Sequence, residues 1–207
     1  MPAPSGTSNP FDDRAKTWDE QPRRIKLAED LFAALERHIP LRPDMTALDY
    51  GCGTGLLSLA LAPRVRRLVA VDSSPGMLDV LSQKLAAGGI ANVDVLLSDF
   101  SDGPLPPGPF NLVVSSMTLH HVADVDGLLR IFFALLARGG RIALADLDAE
   151  DGTFHSSQDG VHHLGFDRGT FAKRLAEAGF ADVRFATATR IAKSRDYSVF
   201  LATAQKP

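Results

Sequence analysis

Leu48-Asp49-Tyr50-Gly51-Cys52-Gly53-Thr54-Gly55 runs from a strand-like apolar pattern straight into a helical one. Glycines at alternate positions let the backbone turn sharply and let a ligand lie against main-chain amides with no Cβ in the way. Two phosphate chemistries compete for such a loop, and both lose ground. A dinucleotide site calls for G-x-G-x-x-G, whereas the spacing here is G-x-G-x-G with Leu56 in the sixth position. A phosphate loop calls for Gly-Lys-Ser/Thr, and no Lys stands near Thr54. Asp49 would repel a pyrophosphate but suits an amino group or a sulfonium. Asp72 closes the next strand, where a carboxylate can accept hydrogen bonds from both ribose hydroxyls. Ser98-Asp99-Phe100 follows the third strand with a carboxylate for an exocyclic amine and an aromatic face for stacking. The chemistry indicated is recognition of a nucleoside that lacks phosphate.

These residues need a scaffold that brings strand ends together. Short apolar runs at 47–50, 67–72, 93–97, 110–115 and 141–147 alternate with helical patterns at 56–61, 75–87 and 125–137, which predicts a parallel sheet with crossover helices. Ile25, Ala28, Leu31, Phe32, Leu35 and Ile39 form an apolar stripe on a preceding helix over 23–39, which Pro40 and Pro43 stop. Pro75 suits a first helical turn, and Gly88-Gly89 and Gly139-Gly140 suit helix ends. A polar stretch over 148–165 leads to a helix over 167–178. Two β-rich runs, 183–191 and 197–203, then stand too close together for a crossover, so they must pair antiparallel. The fold class expected is α/β, Rossmann-like and doubly wound, with a mostly parallel sheet and an antiparallel edge hairpin. Its ligand crevice lies at the carboxyl ends of the strands.

Length and composition bound the function. The chain has 207 residues, 45% of them apolar, 22 basic against 25 acidic, and one Cys. One domain is expected: a flexible leader over 1–10, an N-terminal segment over 11–40 and a core over 45–205. A net charge of -3 supplies no field for gripping a phosphate backbone, which argues against nucleic acid as partner. A single Cys excludes an intrachain disulfide and a multi-Cys metal knuckle. No signal-like start and no long apolar run is visible, so a protein of the cytoplasm without membrane contact is expected.

With the order of these motifs the chain resembles a class I S-adenosylmethionine-dependent methyltransferase of the small-molecule type. The matching stretches are 48–55, Val69 to Leu78, Leu97 to Phe100, Phe110 to Val122 and Leu136 to Ile142. The resemblance implies a seven-stranded sheet in the order 3-2-1-4-5-7-6. It implies S-adenosyl-L-methionine as cofactor and S-adenosyl-L-homocysteine as product. Asp49, Gly51, Cys52, Gly53 and Gly55 would surround the methionine portion, Asp72 would hold the ribose, and Ser73 and Met77 would flank ribose and adenine. Ser98, Asp99 and Phe100 would meet the adenine, with Ser115 and Met117 near the sulfonium. Residues 11–40 would form an N-terminal helical lid, with 11–19 and Trp18 folding over the cofactor.

Methyl transfer is an in-line displacement at an activated carbon, so alignment and water exclusion can supply roughly 7 to 11 kcal/mol of the barrier reduction. A base is needed only if the acceptor arrives protonated. Five of the six histidines fall in two segments after the fourth and fifth strands. His120, with His155 or His162, is the expected base or orienting group, and His38 is expected on a solvated helix face. A metal reading draws on His155, His162, His163, Asp146, Asp148, Glu150 and Asp151, but no helical ligand spacing fixes them, and no metal is expected. Cys52 reads as a small packing residue, and its solitude argues against arsenic methylation. Ser115-Ser116-Met117-Thr118 departs from the Asn/Asp-Pro-Pro-Tyr/Phe pattern of members that methylate amino groups of adenine or glutamine. The loop over 148–165, with Phe154, His155, Val161 and the adjoining Phe166, is the main expected acceptor-specificity element, together with the lid around Trp18. A cofactor-binding module without catalysis stays open as the second reading.

Overall fold

The computed structural model describes residues 9, 11–101, 103–193 and 195–207. The leader expected over 1–10 lies, except for Asn9, outside the described residues. Seven strands form one sheet: β1 Thr46–Tyr50, β2 Arg67–Asp72, β3 Val93–Leu97, β4 Phe110–Ser116, β5 Leu136–Leu147, β6 Ala181–Ala192 and β7 Asp196–Gln205. Their order is β3-β2-β1-β4-β5-β7-β6, as the resemblance implied. β1 to β5 pair in parallel, while β7 is antiparallel to both β5 and β6. The helices are α1 Pro22–His38, α2 Leu56–Leu61, α3 Pro75–Ala87, α4 Val125–Leu135 and α5 Arg168–Glu177.

Side-chain alternation along the strands divides the core into two faces. Leu48, Val113, Leu144 and Phe200 meet Phe132 of α4 and Phe171 of α5 on one face. Leu68, Leu112, Val114 and Leu201 meet Leu35 of α1 and Leu57 and Leu61 of α2 on the other. Polar caps set the helix starts: Ser74 accepts from the Met77 N–H at 3.1 Å, Asp124 from Gly127 at 2.8 Å and Asp167 from Thr170 at 2.8 Å.

One boundary departs from the sequence expectation. Helix α4 stops at Leu135, and Gly139-Gly140 lie inside β5 rather than at a helix end. The cause is long-range. Lys206 donates through Nζ to the carbonyls of Phe133 and Leu136, satisfying the end of α4, and the Gly139 N–H donates to the Lys206 carbonyl. Among the described residues, no helix is long and apolar enough to cross a membrane.

Candidate functional site

The glycine loop leaves β1 with its first two amides fixed. The N–H groups of Gly51 and Cys52 both donate to the Val71 carbonyl, at 2.8 and 3.0 Å. Gly51, Gly53 and Gly55 all have positive φ, of 69°, 55° and 84°, but their surroundings differ. A Cβ on Gly51 would stand 2.2 Å from Thr118 Oγ1, and one on Gly55 would stand 2.3 Å from Leu81. A Cβ on Gly53 would meet nothing within 4 Å. The first and third glycines are therefore required by packing, and the middle one faces open space.

Asp72, at the end of β2, borders that space. Its Oδ2 accepts from the Gly53 N–H at 2.7 Å and its Oδ1 from the Ser74 N–H at 2.9 Å. Burial is the main cause that raises its pKa, opposed by these amide hydrogen bonds. Each carboxylate oxygen keeps a further lone pair for a ligand hydroxyl. Asp49 is buried beneath the loop and accepts from Ser58 Oγ at 2.6 Å. Burial raises its pKa to about 7, so its charge near neutrality depends on what stands beside it. Burial likewise pushes the Cys52 thiol well up, which fits a packing residue and not a nucleophile.

The remaining expected cofactor residues divide between crevice and core. Asp99 is exposed and accepts from the Ser101 N–H at 2.9 Å. Phe100 has left-handed backbone, φ 64°, and its ring packs on Tyr50 with centroids 5.0 Å apart. Only 5% of Phe100 is exposed, so its ring is taken up by the core. Ser98 Oγ accepts from the Phe100 N–H at 3.1 Å and shapes this turn. Ser115 is buried and donates to the Tyr50 carbonyl at 2.8 Å, a tie between β4 and β1 that leaves its hydroxyl proton committed. Met77 is buried in α3, Met117 is half-buried with φ 54°, and Ser73 accepts from Asn9 Nδ2 at 3.1 Å.

The N-terminal segment closes over these strand ends. Asp12 Oδ1 accepts from Ser74 Oγ at 2.5 Å and from the Gly76 N–H at 3.0 Å. Asp19 accepts from Thr54 Oγ1 at 2.7 Å and forms an ion pair with Lys84, whose Nζ also donates to the Thr54 carbonyl at 2.8 Å. Trp18 stacks under the Arg24 guanidinium, 3.5 Å from the ring centroid, and Phe11 meets Trp18 edge-on. In the sequence Asp12 and Asp19 belong to the 11–19 lid segment, but no anchoring role is expected of them or of Lys84. Their signal there, scattered charges far apart in the chain, is indistinguishable from a solvated surface.

Histidines gather at the ends of β4 and β5. His120 sits in a 3-10 turn after β4, is 1% exposed, and its Nδ1 lies 2.6 Å from Asp146 Oδ1. Asp146 also accepts from the backbone N–H groups of His120 at 3.2 Å and Leu147 at 2.7 Å. The ring of His120 lies 4.1 Å from that of His121 and 5.0 Å from that of His155. Burial first, and then the neighbouring His120, holds both His121 and His155 down to pKa values of about 4, so both are neutral near pH 7. His162 and His163 contribute differently: their backbone N–H groups donate to the His120 carbonyl, and the His163 ring bonds the Val122 carbonyl. The acidic residues of the 148–165 loop have local partners, although Glu150 Oε1 is buried without one. Asp148 holds Arg168 with two bonds of 2.7 Å, Asp151 holds Arg195, and Glu150 accepts from Thr153 and Phe154. The partnership of Asp146 with His120 was the main feature missed. An acidic residue ending a buried strand next to one that leads into a histidine pair was its available signal.

A doubly wound sheet with a glycine loop at β1 and an acid at the end of β2 defines a nucleoside-binding α/β domain. Residues 47–140 match a family described as a methyltransferase domain. An uncharacterised methyltransferase of Mycobacterium bovis is 33% identical over 147 residues, covering 70% of this chain and 68% of that protein. The chain belongs to this methyltransferase family. A malonyl-[acyl-carrier protein] O-methyltransferase of Serratia marcescens is 33% identical, with 65% of this chain and 56% of that protein aligned. A phosphoethanolamine N-methyltransferase of Haemonchus contortus, solved with phosphomonomethylethanolamine and S-adenosylhomocysteine, shares the fold. Its TM-score is 0.75 at 18% identity, over 98% of this chain and 61% of that one. The chain spans only part of the length of such curated relatives, 48%, 56% and 63% of three of them.

Proposed function

We propose that the protein transfers the methyl group of S-adenosylmethionine to a small-molecule acceptor, releasing S-adenosylhomocysteine. The observation that carries this reading is the open cradle at Gly53 beside Asp72, the one loop glycine whose missing Cβ faces space and not protein. When bound, the cofactor supplies a methyl carbon activated by positive sulfur. Asp72 would accept from the ribose hydroxyls, Ser73, Met77, Ser98, Asp99 and Phe100 would border the adenine, and Ser115 and Met117 would border the sulfur end. Asp49, ionised on meeting a cation, would attract the amino group or the sulfonium.

Asp12 and Asp19 dock residues 11–20 across the glycine loop and the start of α3, which excludes water and holds the reactants in line. Of the two candidates, His155 is ours for accepting the acceptor's proton, and His120, fixed by Asp146, is the orienting group. His120 is too covered to reach an acceptor directly, so His155 or His121 is the better placed ring. Near-neutral charge favours a small acceptor over nucleic acid, and the lone thiol of Cys52 fits a reducing cytoplasm.

Incubation with methyl-labelled S-adenosylmethionine and a metabolite extract tests the reading. A labelled small product is expected. Label confined to macromolecules would overturn the acceptor class, and tight S-adenosylhomocysteine binding without turnover on any extract would select a cofactor-binding module instead.

A further inference from the structure

We propose that His120, His121 and His155 form a site for a divalent transition-metal ion of the zinc class. Each ring offers one nitrogen, and the three nitrogens lie within 4.8 Å of one another. Tetrahedral zinc with nitrogen ligands at about 2.0 to 2.1 Å places them roughly 3.4 Å apart, so convergence by about 1.4 Å or less completes the ligand set.

The second nitrogen of two rings is already assigned. His120 Nδ1 faces Asp146 at 2.6 Å and His121 Nδ1 faces the Gly160 carbonyl at 2.7 Å, which leaves both Nε2 atoms as free lone pairs. A carboxylate or carbonyl behind a ligating imidazole fixes its tautomer and raises its basicity, the arrangement that supports bound zinc. His155 Nε2 is buried and has no hydrogen-bond partner. A buried lone pair without a partner is costly, and an ion among the three rings satisfies it.

The donor set selects the metal. Imidazole nitrogens suit zinc, cobalt, nickel or iron, whereas magnesium and calcium call for oxygen. Among the described residues the ligand group consists of the three rings alone, and Asp148 and Asp151 are tied to Arg168 and Arg195. Three protein donors leave a fourth position open, as in zinc sites that bind a water or a substrate. Phe11 of the N-terminal segment packs edge-on to His121 at 5.2 Å and covers the cluster. This ion would change the task of the rings from proton acceptors to ligands, and its presence does not depend on the methyl-transfer reading.

The test uses the full chain stripped with a chelator and titrated with Co²⁺, followed by Zn²⁺ competition. One equivalent of Co²⁺ should bind with visible d–d absorption, and Zn²⁺ should displace it. His155→Ala and His121→Ala should each weaken binding by about 100-fold or more, because loss of an outer-shell partner alone costs about 10- to 100-fold. S-adenosylhomocysteine affinity measured on the same samples reports the cofactor site separately, and circular dichroism reports the fold. His155→Gln, which preserves bulk, should lose the metal equally. Absence of stoichiometric Co²⁺ binding to the parent chain, or binding that survives all three substitutions, overturns the site.

Discussion

The Gly53 N–H donates to Asp72 Oδ2 at 2.7 Å, so the carboxylate expected to meet a ribose also sets the position of the loop that would cradle the rest of the ligand. Coupling of the two strand ends in one hydrogen bond means that loss of Asp72 acts twice. Asp72→Ala should weaken S-adenosylhomocysteine binding by about 1.5 to 3 kcal/mol, the worth of hydrogen bonds to a charged group. Isothermal titration calorimetry measures it, and unchanged affinity would refute the assignment.

Gly51 and Gly53 should respond in opposite ways. In Gly53→Val the side chain enters open space, the left-handed backbone costs about 1 to 2 kcal/mol, and the chain should stay folded while cofactor binding is lost. In Gly51→Ala the new Cβ meets Thr118, so the fold should lose about 2 to 4 kcal/mol by combined strain and overpacking. Thermal melts with and without S-adenosylhomocysteine separate the two. Similar behaviour of both variants would show that the open space at Gly53 is not the ligand site.

Asp19 joins the N-terminal segment to Thr54 and Lys84. Asp19→Ala should cost the fold no more than about 1 kcal/mol, because the pair is partly exposed. It should speed release of S-adenosylhomocysteine several-fold and raise the rate of trypsin cleavage at the exposed Arg14 and Lys16 by freeing their segment. Identical release rates in stopped flow would remove the lid role.

Asp146 accepts from the His120 ring and from two backbone amides in a fully covered setting. Asp146→Ala leaves those donors buried without an acceptor. Unfolding in urea should show a loss of about 3 to 5 kcal/mol, the range found when one partner of a buried pair is removed. A loss under 1 kcal/mol would mean that the pair is replaceable by water.

Stability should fall between pH 6.5 and pH 4. His121 and His155 have folded pKa values of about 4, below the ordinary 6.5, so the unfolded chain binds more protons across that window. Their contribution is complete above pH 6.5 and is lost as the pH falls through 4. Asp49, raised to about 7, acts with the opposite sign between pH 3.8 and 7. The histidine contribution is therefore isolated by comparing the chelator-stripped parent chain with the equally treated His121→Ala/His155→Ala double variant. The variant should show the shallower fall in melting temperature, and parallel curves would contradict the burial of these rings as the cause.

Much of the scaffold was legible because its signals are local. Strands 67–72 and 93–97 and helices 56–61 and 75–87 have the bounds expected from apolar periodicity, Pro75 and the Gly88-Gly89 pair. Asp72 at its strand end beside the glycine loop followed from the same pattern. The end of α4 was not legible, since it depends on Lys206, about seventy residues along the chain.

The sequence by itself determined the fold class, the strand order through its resemblance, and the residues at the strand ends, because periodicity, caps and glycine spacing act over a few residues. Which loop glycine faces open space, which aromatic ring is core, and which histidines cluster were decided only by tertiary structure. Gly51 and Gly53 are alike in sequence and differ only in having Thr118 or open space beside them. Phe100 looked like a stacking surface until Tyr50 covered it. His120 and His155 are brought together because β4 and β5 are parallel neighbours whose carboxyl ends meet, a proximity that no local pattern encodes.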